Sequence, residues 1–256
     1  MANTETLAGP DQARHARMRW NTPLSDPHCA LLLDRLHVPP GARVLDLGCG
    51  WGELLLRAVS AAPDATEPAR GVGVDRDAAT LERGRRLAAA RGLGRRVSFA
   101  EGDAAAWQQP AERVICVGAS HAFGGTEQAL QRLAALVSPG GRLLFGDGCW
   151  ETPPTEAAAT LFGPDVLDFA DLVGRAATAG WRVRHLSTAD QREWDDFEST
   201  WTDGQEEWLA AHPDDPRAEE VREMLDERRT EYLTTYRGVL GFCYLVLARA
   251  GSRTTR

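Results

Sequence analysis

Lysine is absent from this chain of 256 residues, and all 29 of its basic residues are arginines. Its absence excludes chemistry that depends on a lysine amine, including Schiff-base catalysis, pyridoxal phosphate attachment and the phosphate-binding lysine of P-loops. Long apolar runs are also missing, since stretches such as 30–33 and 133–137 are far shorter than the roughly 20 residues of a spanning helix. The first 25 residues lack the apolar stretch of a secretory signal. We therefore expect neither a membrane span nor an export segment.

Cysteine is present but is not arranged for disulfides or zinc. The five cysteines form no CxxC pair; they are Cys29, Cys49, Cys116, Cys149 and Cys243. This spacing predicts no disulfide framework and no metal site, and it favours a reducing, cytoplasmic environment. The formal charge of −8 predicts an acidic surface that repels phosphate backbones, so we expect no nucleic-acid partner.

The first part of the chain alternates short apolar runs with helical patterns. The runs predict buried strands at 43–47, 71–74, 97–100, 114–117 and 142–145, with helices at 25–37, 51–61, 77–91 and 126–137. Such alternation is typical of an α/β fold, in which helices cover both faces of a parallel sheet. Ligands of these sheets bind at the carboxyl ends of the strands, so the residues that follow each strand are the candidate site.

The second part of the chain predicts a helix at 166–179 and two more strands, at 181–186 and 241–248, with about 50 helical residues between the strands. If the sixth strand is parallel to the others, this insertion leaves the carboxyl edge of the sheet and covers the site. We therefore predict an N-terminal segment (1–24) that could act as a lid, a main domain (25–189 and 239–256) and a helical insertion (190–238).

Glycines and acids follow three successive strands. Gly48, Gly50 and Gly52 come after the first strand, which carries Asp46, and close glycines let a ligand approach the backbone. Asp75 ends the second strand, where a carboxylate can accept hydrogen bonds from two ribose hydroxyls. Asp103 follows the third strand, where it can accept a hydrogen bond from an adenine amino group. The combination predicts a nucleotide-type site.

The segments VLDLGCGWGE, VGVDRD, EGDA, ICVGASHAFGG and LVSPGGRLLFGD, within residues 40–150, resemble class I S-adenosylmethionine-dependent methyltransferases. More narrowly, the segments 194–198 (WDDFE) and 208–216 (WLAAHPDDP) resemble a subgroup of small bacterial enzymes that methylate small molecules. The resemblance implies a Rossmann-like, seven-stranded, mostly parallel sheet whose last strand is antiparallel. It also implies S-adenosylmethionine as the cofactor.

The resemblance assigns roles to individual residues. Asp46 would orient the methionine end of the cofactor, Asp75 would bind the ribose, and Asp103 with the Ala104 amide would bind the adenine. The glycines of the loop and the backbone of two residues after the fourth strand complete the set: Gly48, Gly50, Gly52, Val117 and Gly118.

His121 is the candidate catalytic base, because it follows the fourth strand closely and histidine's ordinary pKa of about 6.5 suits proton removal at neutral pH. A base is needed only if the acceptor must lose a proton. The segment 18–23 is the candidate lid. The predicted acceptor pocket consists of a histidine and six aromatic residues: His15, Trp20, Trp150, Trp194, Trp201, Tyr232 and Tyr236.

The sequence leaves the acceptor and two alternative functions open. Nitrogen and oxygen of a small, aromatic or heterocyclic molecule are equally compatible with the residues, and the protein could be a monomer or a homodimer. An NAD(P)-dependent oxidoreductase also uses a glycine loop and an acid, although the GxGxG spacing here differs from GxGxxG. A module that binds the cofactor without catalysis is the second alternative.

Overall fold

A computed structural model of the chain describes residues 9–13, 15–62 and 66–249. Over these residues the chain forms one twisted sheet flanked by helices. The strands of the sheet are β1 (Arg43–Leu47), β2 (Arg70–Asp75), β3 (Val97–Glu101), β4 (Ala111–Val117), β5 (Val137–Trp150), β6 (Leu167–Asp168), β7 (Trp181–Thr188) and β8 (Leu240–Arg249).

The described helices alternate with these strands over most of the chain. They are α1 (Pro10–Ala13), α2 (Asp26–Leu36), α3 (Glu53–Ala61), α4 (Ala78–Ala90), α5 (Thr126–Leu133), α6 (Glu156–Phe162), α7 (Phe169–Thr178), α8 (Gln191–Ala211) and α9 (Ala218–Glu231). Two short 3-10 turns, Ala104–Ala106 and Ser120–Phe123, follow β3 and β4, and a π-helical turn, Tyr232–Tyr236, follows α9.

The strand order is β3-β2-β1-β4-β5-β8-β7, with β6 paired to the end of β5. β1 to β5 pair in parallel, whereas β8 is antiparallel to both of its neighbours, so β7 is again parallel to β5. The predicted α/β class and the antiparallel last strand are confirmed. The two-residue β6 is an addition to the seven strands predicted.

Each face of the sheet buries its own apolar core. Leucines of α2 and α3 pack on one face, where they meet β1 and β8. α5 and α7 pack on the other face, against Leu143, Phe145 and Leu245. Gly71 of β2 permits the close approach of α3, because an added Cβ would lie 2.6 Å from a methyl group of Leu55. Both faces are therefore covered where the strands are most apolar.

Side-chain caps fix several of the helix starts. Ser25 accepts a hydrogen bond from the His28 backbone N–H at the start of α2, and Asp77 caps α4 in the same way. At the start of α8, Asp190 and Glu193 form a reciprocal capping box. These caps satisfy backbone N–H groups that have no partner within the first turn of a helix.

α8 and α9, with the π-helical turn, occupy the insertion between β7 and β8. Aspartate and glycine are weak helix formers, but α8 continues through Asp203 and Gly204. Gly204 serves another purpose: an added Cβ would lie 2.2 Å from the backbone oxygen of Ala13, so glycine lets α1 pack directly on α8.

Candidate active site

A cavity of about 550 Å³ lies beyond the carboxyl ends of β1, β2 and β4. The residues that follow these three strands line it, as the position of ligands in parallel sheets predicts. The segment 19–22 covers one side of it, and Trp51 with Leu54 forms part of its wall. Of the predicted cofactor residues, those that line the cavity are Asp46, Gly48, Gly50, Asp75, Ala104, Val117 and Gly118.

The glycines of the loop after β1 have different physical roles. All three have positive φ, which glycine adopts without strain. At Gly50 an added Cβ would meet nothing within 4 Å, so this residue presents open backbone to the cavity. At Gly48 it would lie 2.3 Å from the Cβ of Ala119, and at Gly52 it would lie 2.5 Å from the Phe99 ring. Gly52 therefore allows close packing and does not itself line the cavity.

Asp75 connects the glycine loop to the second strand. One of its oxygens accepts a hydrogen bond of 2.8 Å from the Gly50 backbone N–H, and the other accepts one of 3.0 Å from Asp77. A carboxylate oxygen can accept two hydrogen bonds, so each retains capacity for a ligand hydroxyl. Asp75 thus positions the loop and remains able to bind vicinal hydroxyls.

Asp46 is an ionisable group in the buried floor of the cavity. Its exposure is 3 %. Burial raises its pKa to about 8, and the nearby Asp75 carboxylate contributes to this shift. A cationic ligand beside Asp46 would restore the ionised form, because an opposite charge favours it. The cavity therefore carries a site that is matched to a positive charge.

Asp103 lies beside the cavity but does not line it. Its carboxylate accepts a hydrogen bond of 3.0 Å from the Ala105 backbone N–H and pairs with Arg76 at 2.6 Å. These two contacts hold its pKa below the ordinary range. The neighbouring Gly102 and Ala104 do line the cavity.

His121 lies at the mouth of the cavity, in the 3-10 turn that follows β4. Its side chain is exposed, so it can contact a molecule that enters from solvent. Gly118, two residues before this turn, has a φ of 69°, and an added Cβ there would lie 3.5 Å from a methyl group of Thr22. The turn and the segment 19–22 therefore enclose the space next to Gly118.

Two side chains hold the N-terminal segment over the cavity. The indole N–H of Trp51 donates a hydrogen bond of 2.9 Å to the Arg19 carbonyl. The Arg83 guanidinium donates to the carbonyls of His15 (2.9 Å) and Met18 (2.6 Å), and it stacks on the Trp51 ring at 4.1 Å. Burial lowers the pKa of Arg83. The sequence prediction of a lid at 18–23 did not include these two anchors.

Most of the predicted aromatic residues lie away from the cavity. Trp20 lines it and stacks with Arg57, whose guanidinium carbon is 4.7 Å from the ring centre. We call α8, α9 and the π-helical turn the α8–α9 lobe. Trp150, Trp194 and Tyr236 make edge-to-face contacts where this lobe meets β5 and α6. The hydroxyl of Tyr232 donates a hydrogen bond to Asp195. These four side chains connect the α8–α9 lobe to the sheet.

His15 and Trp201 lie together near the outer side of Trp51. The His15 ring is 6.3 Å from the Trp51 ring and 6.2 Å from the Trp201 ring. Trp201 also stacks with Arg228 at 3.7 Å. Neither residue is among those that line the cavity.

Trp51, Arg83 and Cys49 are site residues that the sequence does not predict. Of these three residues, only Trp51 has a signal in the sequence. It lies between Gly50 and Gly52, in a type of loop that favours small residues, so a tryptophan there indicates a specific role. Cys49 lines the cavity, but burial and the two nearby carboxyl groups raise the pKa of its thiol far above the ordinary value. It is therefore unsuited to act as a nucleophile.

Within 9–13, 15–62 and 66–249, no three histidine, cysteine, aspartate or glutamate side chains are grouped as metal ligands. Over the same residues, no helix has both the length and the apolar character needed to cross a membrane.

This architecture, with a glycine loop after β1 and an acid after β2, defines the Rossmann-like class of nucleotide-binding folds. The family described as "Methyltransferase domain" matches residues 39–201. A solved structure from Geobacter sulfurreducens, a SAM-dependent methyltransferase in complex with S-adenosyl-L-homocysteine, is 30 % identical and has a TM-score of 0.83, with 94 % of this chain and 97 % of that chain covered. A second such complex, from Thiobacillus denitrificans, is 31 % identical with a TM-score of 0.82, covering 93 % and 97 %.

A curated relative, the uncharacterized protein YjhP of Escherichia coli (strain K12), is 34 % identical over 90 % of this chain and 94 % of its own length. The chain belongs to the family of class I S-adenosylmethionine-dependent methyltransferases. This family and its cofactor, as predicted from the sequence, are confirmed.

Proposed function

We propose that the protein transfers a methyl group from S-adenosylmethionine to a nitrogen or oxygen atom of a small molecule. The observation that carries the proposal is the cavity of about 550 Å³, in which Asp46, Asp75 and Gly50 converge with His121 at the mouth. Its volume is typical of small-molecule sites. The cover formed by residues 19–22 favours a small acceptor over a polymer.

The residues of the cavity fit the cofactor. Gly50 offers open backbone, and Asp75 has free acceptor capacity for the ribose hydroxyls. Gly102 and Ala104 line the part of the cavity where the adenine would bind. Asp46 would face the cationic methionine end, which matches its buried carboxyl group. Asp103 would act by fixing this loop through Ala105 and Arg76.

When bound, S-adenosylmethionine supplies a methyl group that its sulfonium has already activated. The remaining task of the protein is to hold the acceptor in line with the methyl group and to keep water out. The segment 19–22 and Trp51 restrict access to the cavity, and Trp20 offers an aromatic surface beside it. His121 accepts the proton of an acceptor that must lose one.

Partner and location are part of the same proposal. The net charge of −8 disfavours nucleic acid as acceptor. We infer a cytoplasmic enzyme that works as a monomer or homodimer on a metabolite and needs no metal. The N-terminal segment acts as the lid, and the α8–α9 lobe supports it.

A two-stage experiment tests this function. Calorimetry with S-adenosylhomocysteine is expected to give one saturable site per chain. An assay of S-adenosylhomocysteine release is then run over a panel of small amines, phenols and carboxylic acids, and at least one class is expected to turn over. Tight cofactor binding without turnover across the panel would favour a non-catalytic binding module.

A further inference from the structure

A second concave site lies at the amino ends of the strands, whereas the cofactor cavity lies at their carboxyl ends. It has a volume of about 310 Å³, and residues at the amino ends of β1 to β4 line it. Arg43 begins β1 and Arg70 begins β2, whereas the cofactor loop follows the carboxyl end of β1. Five residues of strand, at about 3.3 Å each, place the two sites roughly 15 Å apart.

The site exists because the connection between β3 and β4 carries no α-helix. The chain crosses the sheet there through the 3-10 turn 104–106 and the loop that contains Trp107 and Pro110. α5 and α7 cover this face only farther along the sheet. Val72 therefore remains partly open and, with Val44, forms an apolar floor, beside which its strand neighbour Ser98 is exposed. The Trp107 indole forms a side wall. We call this feature the arginine-rimmed groove.

Four arginines surround the groove, and only one of them has a carboxylate partner among the described residues. Arg43 pairs with Glu112 at 3.2 Å. Arg70 donates to the Arg95 carbonyl, and Arg96 donates to two backbone carbonyls. Arg95 is exposed and makes no ion pair within the described ranges. Over the part of the chain that the structure describes, three positive charges thus lie together without a carboxylate partner, on a protein whose net charge is −8.

We propose that the arginine-rimmed groove binds a small amphipathic anion, namely a flat apolar body that carries one carboxylate or sulfonate. The apolar floor and the Trp107 wall accommodate the body, and the indole N–H is already satisfied by the Gln109 carbonyl, which leaves the ring for stacking. Arg70 and Arg95 hold the anionic group, whose charge complements theirs. The small volume and apolar floor disfavour a heavily hydrated polyphosphate.

The experiment uses 2-naphthoate as probe and measures binding by calorimetry. We expect saturable one-to-one binding that persists when S-adenosylhomocysteine saturates the cofactor cavity. Naphthalene-2-carboxamide, which has the same ring system without the charge, is expected to bind at least tenfold more weakly. Because the groove does not depend on methyl transfer, this result is separate from the test of the proposed function.

Paired double variants decide the location. Arg70→Gln/Arg95→Gln is expected to weaken 2-naphthoate binding at least tenfold. The control Arg182→Gln/Arg192→Gln removes the same charge from exposed positions elsewhere and is expected to leave the affinity unchanged. Equal affinity of the two double variants, displacement of the probe by S-adenosylhomocysteine, or no saturable binding would overturn the proposal. So would a wild-type dimer that Arg70→Gln/Arg95→Gln converts to monomer, since a second copy would then occupy the groove.

Discussion

The carboxylate of Asp75 accepts a hydrogen bond of 2.8 Å from the backbone N–H of Gly50, across the gap between two parallel strands. The acid that follows β2 therefore holds the loop that follows β1. One side chain defines both the shape of the loop and the acceptors that face the ribose position.

Asp75→Ala is expected to weaken S-adenosylhomocysteine binding at least tenfold, because the ribose loses its acceptor and the Gly50 N–H loses its partner. Calorimetry measures the change. Asp77→Ala is the matched control: Asp77 caps α4 through Ala79 and Thr80, so its loss is expected to cost about 1 kcal/mol of stability with unchanged affinity. Equal affinity of Asp75→Ala and wild type would contradict the assigned role.

Binding of S-adenosylhomocysteine is expected to strengthen as the pH rises from 6 to about 8 and then to level off. Burial raises the pKa of Asp46 to about 8, so below that pH the free protein holds a proton that the ligand's ammonium group must displace. Calorimetry in buffers of different ionisation enthalpy measures the proton released. In Asp46→Asn this release is expected to disappear, and its persistence would point to another group.

Asp46→Asn is also expected to stabilise the unliganded protein at high pH. The raised pKa means that ionised Asp46 disfavours folding. This cost is absent below the unfolded pKa of about 3.9 and grows until the pH passes the folded pKa of about 8. We expect the melting temperature of the variant to exceed that of wild type by about 5 °C at pH 9 and to equal it near pH 4. A lower melting temperature at pH 9 would refute this account.

Arg83→Met is expected to loosen the N-terminal segment, because the carbonyls of His15 and Met18 lose their buried donor. Hydrogen exchange of residues 15–22 is expected to accelerate at least tenfold, as the loss of hydrogen bonds worth about 1–3 kcal/mol implies. Arg86→Met, an exposed position on the same helix, provides the control. The segment would be held by other contacts if both variants exchanged alike.

His121→Ala is expected to lower turnover about 100-fold with an acceptor that must lose a proton, while cofactor affinity stays within twofold. His121 is exposed at the mouth of the cavity, so its removal leaves the cofactor contacts intact. The measurement is the pH dependence of turnover from 6 to 9. A pH profile in the variant that runs parallel to that of wild type would exclude His121 as the base.

The glycine loop and the strand-end acids were predictable because ligand chemistry demands particular residue types at fixed positions in a parallel sheet. Helix ends were less predictable. The sequence places the end of a helix at Val137, whereas α5 ends at Leu133 and β5 begins at Val137. β5 extends to Trp150 because β8 pairs with it over nine residues, a tertiary effect that no local pattern encodes.

The aromatic residues show a second limit of sequence reasoning. Trp194 and Tyr236 have the composition expected of a binding pocket, but their rings pack against each other and against α6. Aromatic side chains serve cores and ligand sites equally well. Only the three-dimensional placement of the α8–α9 lobe shows whether such rings form a core or line a ligand site. The role of Arg83 likewise needs the structure, because its partners are backbone carbonyls, which no sequence pattern marks.

The position of β8 has a consequence for biosynthesis. This strand, residues 240–249, inserts between β5 and β7 and pairs with both. When the nascent chain has emerged only as far as residue 239, β5 and β7 each have an unpaired edge. Such edges can pair wrongly with other chains. The sheet can close only after β8 has emerged, so shielding of β5 and β7 until then would raise the share of this protein that a cell recovers in native form.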